Sequence, residues 1–175
     1  AFTSLKILRI IKEKHNDNWE KFLTTSTKSS VESILKGESI YSIFENVKGR
    51  NMMYLVSTLH PEHCFHPSYA SWGYLWDLRR DPEPFLNMSV NELKANLKKI
   101  SPKALRVIKT NKAPVVLDKK FALKEKAYSE LDVETIQKRA KLVRNSENFC
   151  KNIQIINREA AEEKAQTQSQ EDLLP

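Results

Sequence analysis

The stretch WGYLWDLRRDPEPFLNMSVNELKANL, residues 72–97, decides how the rest of the chain is read. Trp72, Tyr74 and Trp76 alternate, so in a strand they share one face. Arg79 and Arg80 lead into Asp81-Pro82-Glu83-Pro84, which ends a ladder because proline has no N–H to donate. Ser89 and Glu92 stand at capping-box spacing, and Val90, Leu93, Leu97 and Ile100 then fall on one side of a helix. An aromatic sheet face beside arginines suits a binder of single-stranded nucleic acid. It also suits the core of a small β domain, the more frequent fate of tryptophan, and most of the row is read as core.

Outward from this stretch the pattern alternates on both sides. Ile40 to Val47 and Met52 to Leu59 are β-rich runs around Lys48-Gly49-Arg50-Asn51, which predicts a hairpin. His60 to Pro67 is a loop pinned by two prolines. Ser101-Pro102 stops the helix after residue 100. Leu105, Val107 and the run Val115-Val116-Leu117 then predict two short strands around the basic corner Thr110 to Pro114. Helical spacing returns at the ends. Phe2, Leu5, Leu8 and Ile11 form one stripe, and Trp19, Phe22 and Leu23 a shorter one. Ser29 and Glu32 read as a capping box for Val31, Ile34 and Leu35, with Gly37 as the stop. Val133, Ile136, Ala140 and Val143 share a face, and Phe149, Ile153 and Ile156 form another after a break at Asn145-Ser146. From Glu159 the sequence is polar, a frayed helix end or a linker. The expected class is α+β: helices, a small β barrel or sheet with one inserted helix, then helices.

The chain of 175 residues carries a net charge of +7 and a pI near 9.3, with thirteen Lys/Arg against six Asp/Glu between 69 and 128. That excess favours an acidic partner, nucleic acid first. With three glycines and no GxGxxG or Walker pattern, a glycine-rich phosphate loop is excluded. Cys64 and Cys150 lie far apart without metal or redox spacing, which suits a reducing cytoplasm. No apolar run reaches the roughly 18 residues of a membrane span, and no signal peptide opens the chain. A helical stripe already runs at Phe2, so a piece of a longer protein is expected.

His60, His63, Cys64 and His66 are the one ligand-like cluster. A structural zinc site usually draws on two separate elements, and the sequence offers a single loop, so a loop-shaping role is the expectation. Asp77, Asp81 and Glu83 sit among arginines and prolines and read as ion-paired turn acids. Neither a catalytic constellation nor a metal set is found. Lys48, Arg50, Arg79, Arg80, Lys109 and Lys112 fall at or beside predicted turns, where they could make a basic rim for phosphates.

Four stretches resemble the bacterial exodeoxyribonuclease I family, of the DnaQ-like (DEDDh) superfamily. Leu59-His60-Pro61-Glu62 resembles its Leu-x-x-His-Pro-Glu stretch, and Asp77 to Leu86 its Asp-Leu-x-x-Asp-x-x-Pro-x-Leu segment. Val107 to Val116 is similar to its Asn-Lys-x-Pro strand, and Lys141-Leu142-Val143-Arg144-Asn145 to a region of the following helix. The resemblance implies an SH3-like barrel that helps clamp single-stranded DNA in a 3′→5′ exonuclease of DNA repair. Residues 1–30 would be the last helices of the exonuclease domain, 31–158 the SH3-like domain with its C-terminal helices, and 159–175 a linker toward a further helical domain. The Mg²⁺-binding catalytic residues would precede Ala1, so this fragment would supply clamping and no chemistry. Lys48, Arg50, Arg79, Arg80, Lys109, Asn111 and Lys112 are then the DNA-contact candidates. Arg144 matches a position that binds the acidic tail of single-stranded DNA-binding protein, while Lys21 stands where relatives can have Tyr. The segment Phe44 to Arg50 also departs from the family pattern. A monomer in the bacterial cytoplasm is implied. The alternatives are a stand-alone protein- or nucleic-acid-binding barrel and a structural spacer.

Overall fold

The structure is a computed structural model, and it describes residues 27–47, 49–112 and 114–171, with positions 9, 12 and 13 besides. The helices expected from Phe2 and from Trp19, and Lys21 with them, lie outside the described residues apart from those three positions. The elements in order are α1 (Lys28–Gly37), β1 (Tyr41–Val47), β2 (Arg50–Thr58), β3 (Trp72–Asp77), α2 (Val90–Lys99), β4 (Leu105–Lys109), β5 (Val115–Leu117), α3 (Lys126–Ser129), α4 (Val133–Asn145) and α5 (Glu147–Glu171). All strand pairs are antiparallel, in the order β4-β3-β2-β1-β5. Arg106 on the edge strand β4 donates to Glu45 on β1 at 2.9 Å, so the sheet curls until its two sides meet. This is the expected small barrel with one helix inserted and helices at both ends.

Strand alternation explains how the curl fills itself. Ile43, Tyr54, Val56, Leu75, Ile108 and Val116, drawn from all five strands, point inward and pack with Val31 and Leu35 of α1. The opposite phase, with Leu55, Tyr74 and Trp76, packs outward against Leu93, Val143, Phe149 and Ile153 of the later helices. Helix α1 can reach the sheet because β3 has a glycine there: a Cβ on Gly73 would stand 2.8 Å from Leu35 Cδ1.

The Ser89–Glu92 capping box forms as read, with both reciprocal bonds. The box expected at Ser29 and Glu32 does not form. Thr27 is the cap, accepting from the Ser30 amide at 3.3 Å, and Glu32 instead lies 3.6 Å from Lys28 and accepts the Thr110 hydroxyl. Serines and threonines at 27, 29 and 30 compete for the same role, and the preceding turn chooses among them. The hairpin is tighter than expected. Val47 pairs with Arg50, leaving a two-residue turn in which Gly49 takes φ +80°, a conformation glycine adopts without strain. Beyond Glu159 the chain continues as helix to Glu171, tied by Lys94 of α2 to Glu159 and Glu163. Among the described residues no helix is long and apolar enough to cross a membrane.

Candidate nucleic-acid interface

Lys109 and Lys112 come together because the chain turns between β4 and β5. A short 3₁₀ turn, Thr110–Lys112, joins the two strands, and the buried Thr110 anchors it by its bonds to Ser71 and Glu32. Both lysines line a cleft of about 300 Å³ between β4, β5 and β1, with Phe44, Asn46, Val107 and Pro114. Phe44 and Val107 are each 39% exposed there, a large apolar surface left open beside two cations. The Lys109 ammonium also lies 4.6 Å from the centre of the Trp72 ring. Trp72 packs at 4.9 Å, tilted by 35°, against Tyr69, which is 42% exposed. The site therefore offers charge for phosphates and flat or apolar surface for bases within a few side chains.

The rest of the aromatic row is core. Tyr74 and Trp76 are fully buried, and Trp76 meets Phe85 and Phe149 at 5.5 Å while its indole N–H donates to the Arg80 carbonyl. So the row divides along the strand, with its Trp72 end at the surface and its Trp76 end inside.

The remaining candidates are spread out. Arg79 and Arg80 follow the end of β3 opposite Lys109, since Trp72 pairs with Lys109 and Trp76 with Leu105. Arg79 grips the buried Asp77 and lies over the rings of Tyr54 and Tyr128, at 5.3 and 5.4 Å. Tyr128 donates to Asp77 at 2.8 Å, and Arg106 Nε lies 3.5 Å from the same carboxylate. Arg80 donates to the Ser101 carbonyl at 2.6 Å and is half-buried. Arg50 and Asn111 are exposed, and Lys48 lies outside the described residues. Arg144 donates to the carbonyls of Lys36 and Glu38 and to the Thr58 hydroxyl. It borders an open cleft of about 690 Å³ with Lys119 and Lys141.

The His/Cys loop also divides. His60 and His63 face each other with ring centres 5.4 Å apart. His66 is buried against Tyr69 and Trp72 and accepts two amides at Nδ1. Cys64 and Cys150 are both buried, and burial pushes the Cys150 thiol up to about 11.

The sequence profile of the exonuclease I SH3-like domain matches residues 52–159. The chain belongs to this family. A comparison with curated proteins finds no match to the sequence. Among solved structures, a moderately thermophilic exonuclease I from Methylocaldum szegediense superposes with a TM-score of 0.64 at 16% identity, over 87% of this chain and 34% of that one. The metal-free E. coli ExoI–ssDNA complex gives 0.64 at 15%, over 90% and 36%. An ExoI/SSB-Ct complex gives 0.64 at 14%, over 89% and 35%. The chain thus spans about a third of the length of these exonucleases, and at such identities the likeness is one of fold.

Within this SH3-like domain the cleft holds a residue that the sequence reading passed over. Phe44 is out of phase with Tyr41 and Ile43, which point inward. An aromatic residue on the outward phase of a strand was the available signal.

Proposed function

We propose that this chain is the DNA-clamping part of an exodeoxyribonuclease I, an enzyme that degrades single-stranded DNA 3′→5′ in repair and recombination. The observation that carries the reading is the cleft in which Lys109 and Lys112 stand beside the open side chains of Phe44 and Val107. Arg50 and Asn111 add exposed polar side chains, Arg80 lies at the far end of β3, and Lys48 is carried by its position in the sequence alone. Arg79 serves by holding the corner after β3 through Asp77. The protein works as a monomer in the bacterial cytoplasm.

The Mg²⁺ that the family resemblance implies does not fit Glu45, Asp77, Asp81 or Glu92, which already have partners. Such a site needs several free carboxylates converging on one point. Asp77 is taken by Arg79 and Tyr128, Glu45 by Arg106, Asp81 by the Glu83 amide and Glu92 by Ser89. Hydrolysis is therefore assigned to the remainder of the enzyme. A second ligand, the acidic tail of single-stranded DNA-binding protein, is assigned to the cleft of Arg144, Lys119 and Lys141 on charge.

The test is fluorescence anisotropy of a labelled oligo-dT with the 175-residue chain at rising salt, paired with a nuclease assay in Mg²⁺. Weak binding that falls as salt rises, without cleavage, is expected. Cleavage by the chain alone, or binding indifferent to salt, overturns the reading.

A further inference from the structure

We propose that His60, Glu62, His63 and Glu147 form a site for a zinc-class divalent cation, clipping the loop after β2 to the start of α5. His60, Glu62 and His63 each offer one ligand atom, and these atoms all lie within 4.8 Å of one another. The fourth donor comes from a separate element: Glu147 Oε1 lies 3.5 Å from His63 Nε2, across 84 residues of sequence. This is the second element that a structural site needs and that the loop sequence alone lacks. The site is a matter of stability and goes beyond the proposed DNA clamp, on which it does not depend.

The loop is already held in place. The His63 amide donates to the His60 carbonyl at 2.8 Å, the Cys64 thiol to the Pro61 carbonyl at 3.1 Å, and the His60 amide to the Cys150 sulfur at 3.3 Å. These bonds also occupy both thiols, which leaves the imidazoles and carboxylates as the donor set. Two imidazoles with carboxylate oxygens suit zinc, whereas Mg²⁺ and Ca²⁺ take oxygen donors. Tetrahedral bonds of about 2.0–2.1 Å place donors roughly 3.3 Å apart, so groups up to 4.8 Å apart need to close by as much as about 1.5 Å. Glu62 and Glu147 are exposed. Two existing bonds compete. Lys151 pairs with Glu147 Oε1, and the Glu62 amide donates to His60 Nδ1 at a long 3.3 Å. Both lie at the surface, where such interactions are weak.

The experiment is titration of the 175-residue chain with ZnCl₂ by calorimetry and with Co²⁺ by visible absorption. One equivalent of metal, the d–d bands of tetrahedral Co²⁺ and a higher Tm with Zn²⁺ are expected. His63→Ala and Glu147→Gln should each weaken binding by about tenfold or more. Circular dichroism without metal checks that the variants fold; if His63→Ala does not, Glu147→Gln at the exposed helix start decides. An absence of saturable binding, or affinity unchanged in Glu147→Gln, overturns the proposal.

Discussion

Arg79 grips Asp77 through Nε, 3.1 Å from both carboxylate oxygens, and through Nη2, while the carboxylate is 1% exposed. Burial opposes the charge on Arg79, yet its bonds to Asp77 and the charge of that carboxylate outweigh it and raise the guanidinium pKa. Arg106 and Tyr128 share the same carboxylate. Asp77→Ala would strand the Arg79 guanidinium beside a closed core and leave Arg106 with Glu45 alone. The expected loss is about 3–5 kcal/mol in urea unfolding, because removing one partner of a buried pair leaves its charge uncompensated. A loss under about 1 kcal/mol, the range of exposed pairs, would show that water reaches the cluster.

The same pair separates ion-paired cations from those proposed to bind DNA. Arg79 is neutralised by Asp77, whereas Lys109 and Lys112 are exposed in the cleft. Lys109→Glu with Lys112→Glu should weaken oligo-dT binding and lower the slope of log K against log salt by about 0.7 for each phosphate no longer neutralised. Arg79→Ala should lower the urea midpoint and leave that slope in place. A reversed pattern, with Arg79 setting the slope, would move the DNA path to the far end of β3.

Among the described residues the elements were legible where a local pattern ran uninterrupted. The alternation of Trp72, Tyr74 and Trp76, the Ser89–Glu92 box and the break at Asn145-Ser146 each rest on neighbours in sequence, and each formed. The site was less legible, since it depends on the curl. Lys109 and Lys112 were visible as turn cations. Their junction with Phe44, far upstream in sequence, follows from β1 and β4 meeting across the curled sheet. Asp77 reads from sequence as an ion-paired turn acid, but nothing in sequence says that Tyr54 and Tyr128 will lie against its partner Arg79.

Trp76 and Trp72 share a strand face but not a fate. Trp76 is fully buried against Phe85 and Phe149, so Trp76→Ala should cost about 3–5 kcal/mol. Trp72 is half-buried beneath Lys109, and Trp72→Ala should cost less while reducing oligo-dT affinity. Denaturation and anisotropy on both variants check the contrast. Equal stability losses with no change in affinity would make Trp72 core as well.

Gly73 sets how closely α1 approaches the sheet. An added Cβ meets Leu35 at 2.8 Å and Ile108 at 3.1 Å, both branched side chains inside the barrel. Gly73→Ala should therefore destabilise by about 1–3 kcal/mol, as overpacking of a filled core does. Combining it with Leu35→Ala should recover part of that loss, because the second change removes the clash. Full additivity in denaturation would mean that the strain is relieved elsewhere.

His66 makes stability depend on pH in a defined direction. Burial lowers its pKa below the ordinary value of 6.5, and its Nδ1 accepts the Ser68 and Tyr69 amides at 3.0 and 3.2 Å. The neutral ring is the form that fits. As pH falls below about 6.5, the unfolded chain takes up the proton first. Stability from this group is thus complete above the unfolded pKa and is lost as pH drops through the depressed folded one. Melting temperature should decline between about pH 7 and pH 5, a window above most carboxylate titrations. His66→Asn keeps an acceptor for the same amides and does not titrate, so its Tm should vary less across that window. If the variant keeps the wild-type slope, the dependence belongs to other groups.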